Sequence, residues 1–204
     1  MTTEATLAMR NSPRAAHGHD GEDAHALGFW LYLMSDLIIF ASLFATYVVL
    51  SQNFAGGPTA KELFDLPYVL VETAFLLCAS VAYGLGMIAA RNGQRGRVLM
   101  ALAAAFVLGL CFVSMEANEF AHMIGAGAGP DRSGFLSAYF TLVGTHGAHV
   151  SFGMLWMVVM AVQVLSKGLT RPVQGRLMRL GMFWHFLDIV WIALFSVVYL
   201  LGVI

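Results

Sequence analysis

The chain has 204 residues, of which 59% fall in the apolar and aromatic set AVILMFWYC and only 11% are charged, with a formal net charge of -1 and a mean hydropathy of +0.75. Soluble domains carry about 25% charged residues. A chain with less than half that share cannot clothe a water-facing surface, which excludes a soluble globular enzyme and leaves an integral membrane protein.

The first 26 residues have no hydrophobic period and contain Pro13, His17, His19, His25, Glu4, Asp20, Glu22 and Asp23. A mobile, solvated cytoplasmic tail is expected there, because nothing in it can bury apolar surface and its histidines match no metal-site spacing. The apolar stretch that follows begins too late and is too long for a signal peptide.

A helix needs about 20 apolar residues to cross a hydrocarbon core of about 30 Å. Five stretches qualify: Gly28 to Leu50, Pro67 to Ala90, Val98 to Ala117, Phe135 to Leu165 and Leu180 to Val203. The fold expected is therefore all-α, a single five-helix transmembrane domain over residues 27–204, with no connection long enough for a soluble catalytic domain. Cys78 and Cys111 both fall inside apolar stretches and are expected to be buried thiols acting as small hydrophobes.

Basic residues set the expected orientation. Arg10 and Arg14 in the tail, Arg91, Arg95 and Arg97 in the second loop, and Lys167, Arg171, Arg176 and Arg179 in the fourth give nine on one side. Only Lys61 and Arg132 lie on the other. By the positive-inside rule the N-terminus is cytoplasmic and the C-terminus periplasmic.

The acids break this pattern. Asp36, Glu72, Glu116, Asp188 and, nearer the boundary, Glu119 lie within or at the edge of apolar stretches, where no Lys or Arg does. An ionised carboxylate at the bilayer centre costs at least about 2.5–3.5 kcal/mol, so these groups must be neutral, hydrogen-bonded or paired with something else. His146, His149 and His185 are at membrane depth too. A rise of about 1.5 Å per residue brings Asp36 to a depth similar to that of His149, with His185 as the competing partner.

Three pairs recur at a spacing that shares one helix face: Glu116 with Glu119, His146 with His149, and His185 with Asp188. Gly144, Gly147 and Gly153 are expected to let a neighbouring backbone approach the fourth span. The chemistry open to these groups is metal or haem ligation, a proton relay, or polar contacts that hold helices together. Within the five apolar stretches no Glu-x-x-His pattern occurs and no Cys stands near a His, which weighs against a metal. No span is broken at its midpoint by Pro and no repeat symmetry relates two halves, which weighs against an autonomous transporter.

The runs GFWLYLMSD (28–36), GGPTAKELFDLPYVLVET (56–73), MEANEF (115–120), GPDRSGFLSAYFTLVGTHGAHV (129–150) and FWHFLDIVWIALFSVVYLLG (183–202) resemble subunit III of the haem-copper terminal oxidases. The five-span form, the His-rich tail and the GPDRSGFLSA loop are similar in particular to the cytochrome bo-type ubiquinol oxidase branch. The resemblance implies a redox-inactive accessory subunit of a proton-pumping complex in the bacterial inner membrane, oxidising ubiquinol and reducing dioxygen to water. It implies haems and copper in the partner subunit I, no cofactor, metal or catalytic residue in this chain, and no nucleic-acid partner. Asp36 aligns with the family's intramembrane carboxyl, known for reacting with a hydrophobic carbodiimide, where many relatives carry Glu. His149 aligns with the histidine that bonds it, which favours His149 over His185. Glu116, Glu119, His146, His185 and Asp188 also match the family pattern, while Glu72 matches the ubiquinol oxidase branch but not all cytochrome c oxidases. The resemblance also implies bound phospholipid, whose anionic headgroups Arg91, Arg95 and Arg97 are placed to meet. An independent proton-conducting or metal-binding membrane protein is the alternative from a different class.

Overall fold

A computed structural model of the chain describes residues 13–203, with side chains from residue 26 onward apart from that of Glu62. The expectation of a mobile tail for residues 1–12 lies outside the described residues. The described residues fall into two compact units, divided between Ile38 and Ile39.

Every regular element among the described residues is helical: α1 (Pro13–Leu50), the short α2 (Ala60–Leu63), α3 (Leu66–Arg91), α4 (Arg95–Gly125), α5 (Gly134–Lys167) and α6 (Arg171–Leu194). A π-helical turn, Phe195–Leu200, and a last α-turn, α7 (Leu201–Val203), extend α6. Five segments are long and apolar enough to cross a membrane: Ala26–Leu50, Leu66–Arg91, Arg95–Gly125, Gly134–Lys167 and Arg171–Val203. All five expected stretches are therefore helical, with two corrections. The helix begins at Pro13, inside the region expected to lack regular structure. The α4 helix, at 31 residues, is about 46 Å long at 1.5 Å per residue. It outruns the hydrocarbon core, so Arg95 and Arg97 sit on its first turn rather than in a loop.

The sequence explains the helix ends. Pro67 and Pro172 stand in the first turns of α3 and α6, where a missing backbone N–H costs nothing. Ser133 caps α5, its hydroxyl accepting from the Leu136 amide at 3.2 Å. Gly93, at φ +68°, makes the tight reversal between α3 and α4, where Gln94 N–H returns to the Ala89 carbonyl at 3.0 Å. At that φ a side chain would be strained.

Within the second unit, α3 packs on α4, α4 on α5, α5 on α6, and α6 back on α3, closing a four-helix ring. Contact is closest where side chains are smallest. A Cβ built on Gly86 of α3 would lie 2.8 Å from the Ala101 Cβ of α4. Trp184 of α6 is fully buried between two glycines, its ring 3.1 Å from a Cβ placed on Gly109 and 3.2 Å from one on Gly153. Above it an aromatic layer joins Phe64, Phe135, Tyr139 and Tyr199, with Phe64 and Tyr199 centroids 4.8 Å apart.

Both cysteines depart from expectation. Cys78 is exposed and Cys111 partly exposed. In a membrane span the outward and inward faces are equally apolar, so a small thiol is tolerated on either.

Candidate functional site

Three carboxyls gather in the second unit, two of them buried and the third, Glu119, half-buried. Glu72 of α3 and Glu116 of α4 are buried, with neither carboxyl hydrogen-bonded among the described residues. Glu119 lies one turn beyond Glu116, and its Oε2 accepts from the Tyr199 hydroxyl at 3.2 Å. Tyr199 and Tyr139 are joined through their hydroxyls at 2.9 Å, and since Tyr199 gives its one hydrogen to Glu119, Tyr139 is the donor of that pair. The three carboxyls interact electrostatically: Glu72 senses Glu116 and Glu119, and Glu116 senses Glu119. The π-turn delivers Tyr199 to this cluster. Both Val198 and Tyr199 are buried within it.

Gly147 makes room for the Glu116 head: a Cβ there would stand 2.6 Å from Oε1 and 2.8 Å from Oε2. Gly153 likewise receives the rings of Trp184 and Phe183, and Gly144 is in ordinary contact with Phe120 at 3.6 Å. These glycines admit side chains, where a neighbouring backbone was expected.

The two histidines of α5 part company. His146 is wholly buried, its ring 5.1 Å from Trp191 and edge-on to Phe112 at 5.9 Å, with neither nitrogen hydrogen-bonded among the described residues. Trp191 in turn donates from Nε1 to Thr73 Oγ1 at 3.0 Å, tying α6 to α3 beside Glu72. His149 is half-buried, its Nδ1 2.7 Å from the Thr145 carbonyl and its ring 5.2 Å from Phe40. A carbonyl can only accept, so Nδ1 carries the proton.

His185 and Asp188 do share a face, with Nδ1 and Oδ2 3.3 Å apart. The group that completes them is Ser80 of α3. Its hydroxyl lies 2.7 Å from His185 Nδ1 and donates a short hydrogen bond to Asp188 Oδ2. Ser80 drew no notice in the sequence because a lone serine in an apolar helix is commonplace. In the first unit, Asp36 is buried on α1, one turn beyond Tyr32, with which it interacts electrostatically. That tyrosine was legible in principle from its i, i+4 spacing.

At the far end, the Arg95 guanidinium donates a short bond to the Leu165 carbonyl in the last turn of α5. Arg97 donates to Gln94 Oε1 at 2.9 Å. Arg97 and Gln94 also line a groove of about 280 Å³ with Leu85, Ile88, Ala89, Asn92 and Ala101.

Glu119 and His122 form a Glu-x-x-His pair that the expected boundary at Ala117 hid, because α4 continues to Gly125. Among the described residues, no group of three or more His, Cys, Asp or Glu side chains is placed to hold a metal ion. The arrangement offers buried carboxyls, hydroxyl chains and interhelical hydrogen bonds.

Comparison with known proteins gives these residues a context. Residues 6–203 match the family model described as cytochrome c oxidase subunit III. A cytochrome bo(3) ubiquinol oxidase subunit 3 from Pseudomonas aeruginosa is 55% identical over 186 residues, 91% of this chain and 89% of the relative. A protein of the same name from Buchnera aphidicola (subsp. Baizongia pistaciae) is 46% identical over 87% of this chain and 92% of its own. The quinol oxidase subunit 3 of Bacillus subtilis is 37% identical over 94% of each.

Proposed function

Because this chain belongs to the cytochrome c oxidase subunit III family, we propose that it is the accessory subunit III of a bacterial ubiquinol oxidase, a multi-pass protein of the inner membrane. The observation that carries this reading is 55% identity, over 91% of the chain, to a relative named as that subunit. Quinol oxidation and dioxygen reduction to water belong to the haems and copper of subunit I. This chain supplies no redox centre and works by holding the assembly and its lipids in place. Its N-terminus is cytoplasmic and its C-terminus periplasmic.

The buried polar groups fit that role. Association of helices in lipid lacks a hydrophobic driving force and relies on close packing and interhelical hydrogen bonds. Trp191 to Thr73, Tyr199 to Glu119 and Ser80 to Asp188 each bridge two different helices. Glu72, Glu116 and His146 fill the space between these bridges, and Asp36 and His149 belong to the same class of structural polar groups. At the cytoplasmic surface Arg91 and Arg97 meet anionic headgroups, while Arg95 closes the end of α5.

Solubilising the membrane in mild detergent and purifying this chain tests the proposal. The expected result is co-purification with a larger, haem-bearing polytopic subunit and ubiquinol oxidase activity in that fraction. Haem absorbance or stoichiometric metal in the chain freed of its partners would overturn it.

A further inference from the structure

The Ser80, His185 and Asp188 cluster is built, and it faces outward in the middle of the bundle. At about 1.5 Å per residue, Ser80 stands roughly 21 Å from the start of α3 and 17 Å from its end. On α6, His185 stands six residues, roughly 9 Å, beyond Arg179, the nearest basic residue toward the cytoplasmic end. Ser80 and His185 both lie inside the apolar stretches expected to cross the membrane. Yet the His185 side chain is 50% exposed, while that of Asp188 behind it is 9% exposed. The surface around it is apolar, formed by Val81 and Leu85 of α3 with Met178, Ile189 and Ile192 of α6, all exposed.

Proton placement follows from the geometry. The Ser80 hydroxyl has one hydrogen and gives it to Asp188 Oδ2. Toward His185 Nδ1, 2.7 Å away, the Ser80 oxygen can therefore only accept, so Nδ1 carries the proton. In the neutral ring Nε2 is then a bare acceptor. Hydrocarbon tails offer it no donor, and a polar group left unpaired in the bilayer core costs several kcal/mol. One turn from Ser80, Gly84 has nothing within 4 Å of where its Cβ would be, an open small-residue step in the same helix.

We propose that the α3–α6 face centred on His185 is the docking surface for a transmembrane helix of another oxidase subunit, one that donates a side-chain N–H or O–H to His185 Nε2. The partner's helix lies along the Ser80 and Gly84 step, where two backbones can come close. Ser80 and Asp188 are positioning residues that fix the ring's tautomer and aim. This rests on the oxidase reading for the identity of the partner, and goes beyond it in naming the surface and the chemistry of the contact.

The test uses the assembled oxidase in its own membrane, with a photo-cross-linking residue at Ile189 and, as a control, at Leu155, an exposed position on α5. The expected product from position 189 is an adduct with a different subunit of the oxidase. Adducts with lipid alone, or with a second copy of this chain, overturn the proposal while co-purification with the haem-bearing subunit leaves the oxidase reading standing. If that co-purification fails as well, both fall. A second variant, Gly84→Leu, adds bulk only to the open side. Retention of this chain in the detergent-solubilised complex should fall about tenfold, the change that about 1.4 kcal/mol of lost binding produces. Retention at the wild-type level would overturn the proposed docking just as directly.

Discussion

At the scale of single residues, the carboxyls are held less by charge than by the room made for them. Glu116 occupies the space that a side chain at 147 would need. Gly147→Ala is expected to destabilise the fold by about 1–3 kcal/mol, typical of overpacking a close-packed interior. Thermal unfolding of the purified chain in detergent would measure it, and an unchanged midpoint would mean that the Glu116 head moves aside freely. The hydroxyl chain behaves differently. Tyr199→Phe keeps the ring among Phe64, Tyr139 and Trp191 but removes the donor to Glu119. A net hydrogen bond is worth about 0.5–1.5 kcal/mol, and the loss should stay in that range with the aromatic packing preserved. Infrared difference spectra should show a shifted Glu119 carboxyl band; an unmoved band would mean that this hydrogen bond is not formed in the membrane.

Among the helices, the deciding feature is the π-turn at Phe195–Leu200. An α-helix advances about 100° per residue, so deleting Val197 to restore regular winding would swing Tyr199 away from Glu119 and Tyr139. The deletion should therefore cost more stability than Tyr199→Phe, since it also breaks the aromatic layer, and unfolding in detergent would rank the two. Arg95 shows how a helix end is completed by a neighbour. Its bond to the Leu165 carbonyl places a cation at the negative end of α5. Arg95→Gln should lose about 0.3–1 kcal/mol, read as increased hydrogen exchange in the last turn of α5 and little change elsewhere.

For the molecule as a whole, the polar groups lie where helices must be held together in a solvent that does not drive them together. That division predicts the effect of the first-unit carboxyl. Asp36→Asn is nearly isosteric and keeps a polar group in the same place, so the assembled oxidase should keep its quinol oxidation and its proton-to-electron ratio. A collapse of that ratio in a fully assembled variant would point instead to a direct proton relay through Asp36.

Much of this was written in the sequence by itself. The five membrane helices followed from apolar length, because a bilayer accepts only elements that satisfy their own backbone. Asp36, Glu72, Glu116, His146 and Asp188 stood out because charge in an apolar run is costly wherever the run folds. The partners of those groups were decided only by the tertiary structure. Ser80 meets His185 and Asp188 across a gap of more than a hundred residues. Tyr199 reaches Glu119 through a local change of helical winding that no apolar pattern encodes. Even the facing of Cys78 waited for packing, for the physical reason that lipid and protein interior present the same apolar chemistry to a helix, and only neighbouring side chains tell them apart.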